Sequence, residues 1–212
     1  MTPAEYEAWY HTSRGCWVAQ REFRLLRRLM PMEPGATLLD LGTGTGHFAR
    51  RYAAAGLVVT GLDPDQNALD YARTLGGGID YVEGSGLSLP FADNSFDYAV
   101  AVTSLCFVDD PARALQEMWR VTRRGVVLGL LNRHSLLYRQ KAGRGGYTGA
   151  RWDDLTTVKR WIGGLQPRPQ RLMVGSALFL PGGGWIARVI EPAIPYRTPL
   201  GGLLAMAIDR NG

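Results

Sequence analysis

Cysteine is scarce in this chain: Cys16 and Cys106 are the two in 212 residues, and neither stands at a metal-ligand or redox spacing. That excludes a thiolate metal site and a disulfide framework, and no metal is expected. Long apolar runs are missing too. The longest lies near residues 203–208, far too short to span a bilayer. The opening residues, Met1 to Glu7, are acidic and polar and lack a signal-peptide pattern. A reduced, cytoplasmic compartment is expected. Linker composition, internal repeats and low-complexity tracts are also absent. A single domain over 1–212 is the economical expectation, with cap helices in 1–31 and insertions at 133–150 and 181–200.

Charge of one sign is only mildly in excess: the net charge is +5 and the pI about 9.5. The basic residues are mostly dispersed arginines, and Arg21, Arg24, Arg27 and Arg28 recur as on one helix face. A solvated face accounts for that spacing, so no nucleic-acid partner is expected. A basic rim around an anionic substrate is the second reading.

What the chain does have is a dense stretch at residues 38–46, Leu-Leu-Asp-Leu-Gly-Thr-Gly-Thr-Gly. A short apolar run ends in an acid, and Gly then stands at every second position. A helical pattern follows from His47. Such a turn lets a ligand approach backbone where side chains would block it. Around it, strands and helices alternate. Strands are expected at 37–41, 57–62, 79–82, 96–102 and 126–131. Helices are expected at 47–55, 65–75 and 111–121. Pro3 opens a helix over 3–10, and Ser13 caps a longer one to about Met30. Further on, a helix is expected over 152–162 with Asp153 and Asp154 in its first turn. Strands are expected at 170–180 and 202–209. The alternation predicts an α/β fold, a parallel sheet with helices on both faces.

The turn by itself fits two cofactors. Residues Gly44 to Ala49 match a dinucleotide loop, and Gly42 to Gly46 an S-adenosylmethionine loop. Asp63, at the end of the second strand, can accept from ribose hydroxyls in either. Asp40, just before the glycines, separates them: a carboxylate there favours a cationic ligand and repels a pyrophosphate.

Four segments, 38–46, 59–65, 89–97 and 114–121, resemble the class I S-adenosylmethionine-dependent methyltransferases in motif order and spacing. They are most similar to the small-molecule subgroup that includes the ubiquinone and menaquinone C-methyltransferases. The resemblance covers roughly residues 36–132. It implies a Rossmann-like open sheet of seven strands, mostly parallel, with the last antiparallel. It implies S-adenosylmethionine as cofactor, with S-adenosylhomocysteine as product, and methyl transfer to a small molecule. Asp40, Gly42, Thr43, Gly44 and Gly46 would lie by the methionine moiety and Asp63 by the ribose. Pro64 would lie along the adenine, with Ser85 and Gly86 at its edge. Ser104 and Leu105 would face the sulfonium. The family often has Asp where Ser85 stands, and a Ser hydroxyl accepts without charge. The alternatives are an RNA-modifying enzyme of the same fold, a nicotinamide-dependent oxidoreductase, and a non-catalytic S-adenosylmethionine-binding protein.

Other candidates each have a plainer role beside them. His134, past the fifth strand, is a candidate base or an exposed loop residue. His47 closes the glycine turn. The cluster Tyr6, Trp9, Tyr10, His11, Arg14 and Trp17 is either a helix packed on the sheet or a lid over the substrate. Tyr147, with Arg144 in the Gly-rich segment 143–149, is a candidate opposing flap. Cys106 is read as a small buried hydrophobe. Trp152 and Trp161 are read as core, and Glu191 and Asp209 as surface or turn residues.

Overall fold

Alternating apolar segments and capped helices assemble into one seven-stranded sheet. The computed structural model describes residues 2–210. The strands are β1 (Thr37–Leu41), β2 (Val58–Asp63), β3 (Asp80–Glu83), β4 (Phe96–Val102), β5 (Thr122–Leu131), β6 (Arg171–Ala177) and β7 (Leu203–Asp209), in the order β3-β2-β1-β4-β5-β7-β6. The first five are parallel, and β7 runs antiparallel between β5 and β6. This is the Rossmann-like open sheet. The strand order reverses between β1 and β4, and that switch point opens a crevice at the carboxyl ends of the strands.

Helices cover both faces. They are α1 (Pro3–His11), α2 (Ser13–Leu29), α3 (His47–Ala54), α4 (Gln66–Thr74), α5 (Pro111–Val121), α6 (Leu136–Lys141), α7 (Leu155–Gly163) and α8 (Trp185–Ile190). Leu25, Leu26 and Leu29 of α2 join Phe48 and Tyr52 of α3 on one face of the sheet. Leu115, Met118 and Trp119 of α5 join Val158 and Ile162 of α7 on the other. The middle of β5, from Val126 to Leu130, is therefore buried on both faces, which is why it reads as an unbroken apolar run.

Local caps set the helix starts. Asp110 accepts from Arg113 N at 2.9 Å with Pro111 following it, and Asp65 accepts from Asn67 N at 3.0 Å. Two expected starts shift. Thr12, not Ser13, caps α2 by accepting from Gly15 N at 3.0 Å, because Thr12 also closes α1. Helix α7 starts at Leu155 under the cap Asp154, and Asp153 instead bridges to Asn132 beside the sheet. Glu191 is also not a surface residue. It is fully buried, and its carboxylate accepts from Phe179 N at 3.0 Å and Leu180 N at 3.2 Å.

The segment after β3 is tied down from α5. Glu117 accepts from Leu89 N at 2.9 Å, and Arg120 donates to Leu89 O at 3.1 Å and Phe91 O at 2.8 Å. One ion pair thus fixes the loop that carries Ser85 and Gly86 to the crevice. No described helix is long and apolar enough to cross a membrane.

Candidate active site

The three glycines after β1 all adopt the left-handed conformation, with φ of 71° at Gly42, 52° at Gly44 and 74° at Gly46. They do different things. A Cβ on Gly42 would stand 2.3 Å from Ser104 Cβ, and one on Gly46 would stand 2.1 Å from the Tyr81 hydroxyl. Those two allow close packing. A Cβ on Gly44 would meet nothing within 4 Å, because that residue faces open space in the crevice. Of the three glycines, Gly44 leaves the space beside its backbone open to a ligand.

Carboxylates surround the turn. Asp63 accepts from Gly44 N at 2.8 Å and from Asp65 N at 2.9 Å, and burial pushes it up against those two bonds. Asp40 is 2% exposed and accepts from Thr43 Oγ1 at 2.8 Å. Burial raises its carboxyl to about 7 despite that bond, and the Asp63 charge adds to the rise. On the far side, the buried Glu7 of α1 accepts from Thr45 Oγ1 at 2.6 Å and from Arg50 Nη2 at 2.5 Å. Glu7 is neutralised by Arg50, and the two acids that line the crevice, Asp40 and Asp63, suit a ligand with cationic groups better than a pyrophosphate. The donor set therefore fits S-adenosylmethionine, with its sulfonium and ammonium, and does not fit a dinucleotide.

The crevice is a cavity of about 720 Å³ lined by Asp40, Gly44, Asp63, Ser85, Ser104 and their neighbours. A second, apolar chamber of about 340 Å³ adjoins it, walled by Trp9, Val18, Leu137 and Tyr147 among others. Tyr6, Tyr10, Thr103, Phe107 and Gly146 line both, so the two spaces meet there.

A family model described as a methyltransferase domain matches residues 39–130. The chain is 41% identical over 103 residues to a malonyl-[acyl-carrier protein] O-methyltransferase of Pectobacterium atrosepticum, covering 49% of this chain and 41% of that protein. It is 42% identical over 92 residues to a demethylmenaquinone methyltransferase of Renibacterium salmoninarum, covering 43% of this chain and 39% of that one. The chain thus spans about two-fifths of the length of these relatives. A crystal structure of an S-adenosylmethionine-dependent methyltransferase from Thermotoga maritima superposes with a TM-score of 0.79 at 27% identity, over 98% of this chain and 96% of that one. Residues 39–130 are a methyltransferase domain of the S-adenosylmethionine-dependent class.

Within the methyltransferase domain, the structure places the named residues unevenly. Asp40, Gly42, Thr43, Gly44, Asp63, Pro64, Ser85, Gly86 and Ser104 all line the crevice. Gly46 sits behind it, against Tyr81. Ser104 donates to Leu41 O at 2.7 Å and so clamps the end of β1 to β4. Leu105 is a correction. It is fully buried in the core under α5, because a short 3-10 turn at Leu105–Phe107 rotates it inward. Thr103 takes the exposed place, held at φ 50°, an unusual conformation for a β-branched residue.

Outside the domain core, Tyr6 and Tyr10 line both cavities and Tyr147 the chamber. His11 is a correction: its side chain is 78% exposed and lines neither space. His134 takes the second of its two readings, an exposed loop residue absent from both linings. His47 does close the turn. It accepts from Arg51 Nε at 3.0 Å through Nε2, so its Nδ1 carries the proton and faces Glu7 Oε1 at 3.3 Å. Its ring stacks on Tyr10 at 3.6 Å. Cys106 is buried, and burial drives its thiol up to about 12, so it is an inert packing residue. Among the described residues, no cluster of His, Cys, Asp or Glu could hold a metal.

Sequence reasoning missed Thr103 and Phe107 at the junction of the two cavities, and it missed Glu22. Glu22 lines the chamber from α2 and is 7% exposed. A glutamate on a helix studded with arginines reads as surface, and only its i−4 and i+4 neighbours, Val18 and Leu26, both buried, betray a core-facing position.

Proposed function

We propose that the protein transfers a methyl group from S-adenosylmethionine to a small molecule held in the apolar chamber. The observation that carries this reading is the junction of the two cavities at Tyr6, Tyr10, Thr103 and Phe107. It sets a carboxylate-rich glycine turn next to an aromatic pocket. Asp40 and the Gly42–Gly44 turn would hold the methionine moiety, Asp63 the ribose, and Ser85 with Gly86 the adenine edge. When bound, S-adenosylmethionine supplies a methyl already attached to a good leaving group. The chain's part is then to hold the acceptor in line at about 3–3.5 Å and to exclude water. Aromatic walls from α1 and the 145–147 turn serve that exclusion.

A chamber of about 340 Å³ suits a molecule of one or two rings rather than a nucleic acid. The names of the partial relatives also point to small or carrier-bound acceptors. We read residues 1–212 as one functional unit acting in the cytoplasm. Calorimetric titration tests the cofactor reading. S-adenosylmethionine and S-adenosylhomocysteine are expected to bind and raise Tm, and nicotinamide dinucleotides are not. The reverse pattern overturns it.

A further inference from the structure

The chamber contains an acid with no partner. Glu22 sits mid-helix on the buried side of α2, among Val18, Leu25 and Leu26. No described residue donates a hydrogen bond to its carboxylate or forms an ion pair with it. Glutamate is almost never buried unpaired, because stripping a carboxylate of water without replacing its bonds is costly. Burial pushes Glu22 up to about 8, and the distant field of Arg51 on α3 only partly offsets that. A leucine at this position would pack as its neighbours do. The acid is therefore stabilised poorly by the fold and faces the one space in which a partner from outside can reach it.

The surroundings say what kind of partner. The rings of Tyr6, Trp9, Tyr10 and Tyr147 line the same chamber. The hydroxyls of Tyr6 and Tyr10 are 3.0 Å apart and share one hydrogen bond, and neither is within hydrogen-bond contact of Glu22. Aromatic faces attract cations, and a carboxylate accepts from N–H donors. Three cations also line the chamber: Arg14 and Lys141, both half-buried, and the exposed Arg144, with Arg14 donating to Pro181 O at 3.0 Å.

We propose that the acceptor substrate is a small amine, and that Glu22 is the residue that receives its nitrogen. The inference rests on the methyl-transfer reading for the word acceptor, though the amine site itself does not. At neutral pH, where Glu22 carries its own proton, an entering ammonium releases one proton to solvent; where Glu22 is ionised, the ammonium gives one N–H proton to a carboxylate oxygen. The N–H bond breaks, the O–H bond forms, and the electron pair stays on nitrogen as the lone pair a nucleophile needs. In the second case two separated charges become two neutral groups, which a low-dielectric chamber favours.

The test compares three probes of one shape, 2-phenylethylamine, 2-phenylethanol and phenylacetate. Each is titrated calorimetrically into the protein of residues 1–212 with and without S-adenosylhomocysteine. The amine is expected to bind at least tenfold more tightly than the alcohol, and phenylacetate more weakly still. Glu22→Gln is expected to erase the preference for the amine while leaving S-adenosylhomocysteine affinity unchanged. It is also expected to fold with a higher Tm, since it removes an unpaired buried acid, so the variant remains measurable. Absence of amine binding, equal binding of the three probes, or a Glu22→Gln variant that keeps the preference overturns the proposal. Tighter binding of phenylacetate overturns it in favour of anion recognition by Arg14, Lys141 and Arg144. Failure of S-adenosylhomocysteine to bind, with the amine preference intact, strikes the methyl-transfer reading alone.

Discussion

Glu7 accepts a hydrogen bond from Thr45 Oγ1 at 2.6 Å, which joins the first helix of the chain to the glycine turn 38 residues later. Arg50 and His47 complete the cluster around the same carboxylate. These charge-assisted bonds outweigh the burial that acts against the charge, and they hold the Glu7 carboxyl down to about 2. The ordinary value is 4.5, so the stabilisation is present above that pH and is lost as pH falls from 4.5 through about 2. Glu7→Gln should cost about 2–3 kcal/mol at pH 7 and much less at pH 3. Urea denaturation of both proteins at the two pH values checks this; an equal cost at both means the charge is not what anchors α1.

The same anchor revises the lid expected from the aromatic N-terminus. Helix α1 is seated on the turn by Glu7 and by the stacking of Tyr10 on His47. Its amides should therefore be protected from hydrogen exchange without ligand. The segment 143–149, exposed over most of its length with Gly143, Gly145 and Gly149 at positive φ, is the more adaptable wall. Protection is expected to rise there on adding S-adenosylhomocysteine. A rise confined to residues 3–11 would restore α1 as the lid.

Gly44→Val should abolish cofactor binding and leave the fold in place. Its side chain would enter open crevice, although the φ of 52° makes any substitution strained. Gly42→Ala should instead unfold the turn, since its Cβ would fall 2.3 Å from Ser104 Cβ. Tm and S-adenosylhomocysteine affinity measured on both variants separate the two roles. Unchanged affinity in Gly44→Val removes that residue from the site.

Asp63→Ala should weaken S-adenosylhomocysteine at least tenfold. It removes the acceptor of Gly44 N and Asp65 N together with the proposed ribose contact, each charge-assisted bond being worth about 1.5–3 kcal/mol. Asp65→Ala removes the α4 cap and should cost about 1 kcal/mol of stability with affinity little changed. Equal losses of affinity in the two variants would contradict the division.

Asp40 predicts a pH dependence of opposite sign to Glu7. Its carboxyl is raised to about 7, so in the free protein its contribution to stability is present at low pH and fades as pH rises through 7. A cationic ligand favours the ionised form. S-adenosylmethionine should thus bind more tightly at pH 8 than at pH 6, releasing a proton at the lower pH. Asp40→Asn should flatten that dependence. Titrations in two buffers of different ionisation enthalpy detect the proton; a flat wild-type profile sinks the idea.

Much of the fold was legible because its signals are local. Phe96–Val102 and Pro111–Val121 match their expected limits, since a turn at Asp93 and Asn94 and a capped proline mark them within a few residues. The glycine turn, Asp40 and Asp63 were equally legible, because a strand, a tight turn and a helix start leave one arrangement open. Strand ends and helix starts moved where a partner far along the chain supplied the bond, as at Asp153 beside Asn132.

The sequence by itself therefore determined the sheet, the crevice and the class of cofactor. The parallel sheet and its crevice follow from a strand–turn–helix unit and its repetition, whereas the antiparallel last strand and the choice of S-adenosylmethionine over a dinucleotide also drew on the resemblance of four segments to a known family. The tertiary structure alone decided which side chains enter the second chamber. Leu105 turned into the core, His11 and His134 stayed in water, and Glu191 went inside to bind two backbone amides. Glu22 came to line one chamber with Tyr6, Tyr10 and Tyr147, from three segments with no local relation. The physical reason is range. Caps and periodicity act over a few residues, whereas a chamber is the gap left when distant surfaces fail to close on each other, and no short window of sequence encodes a gap.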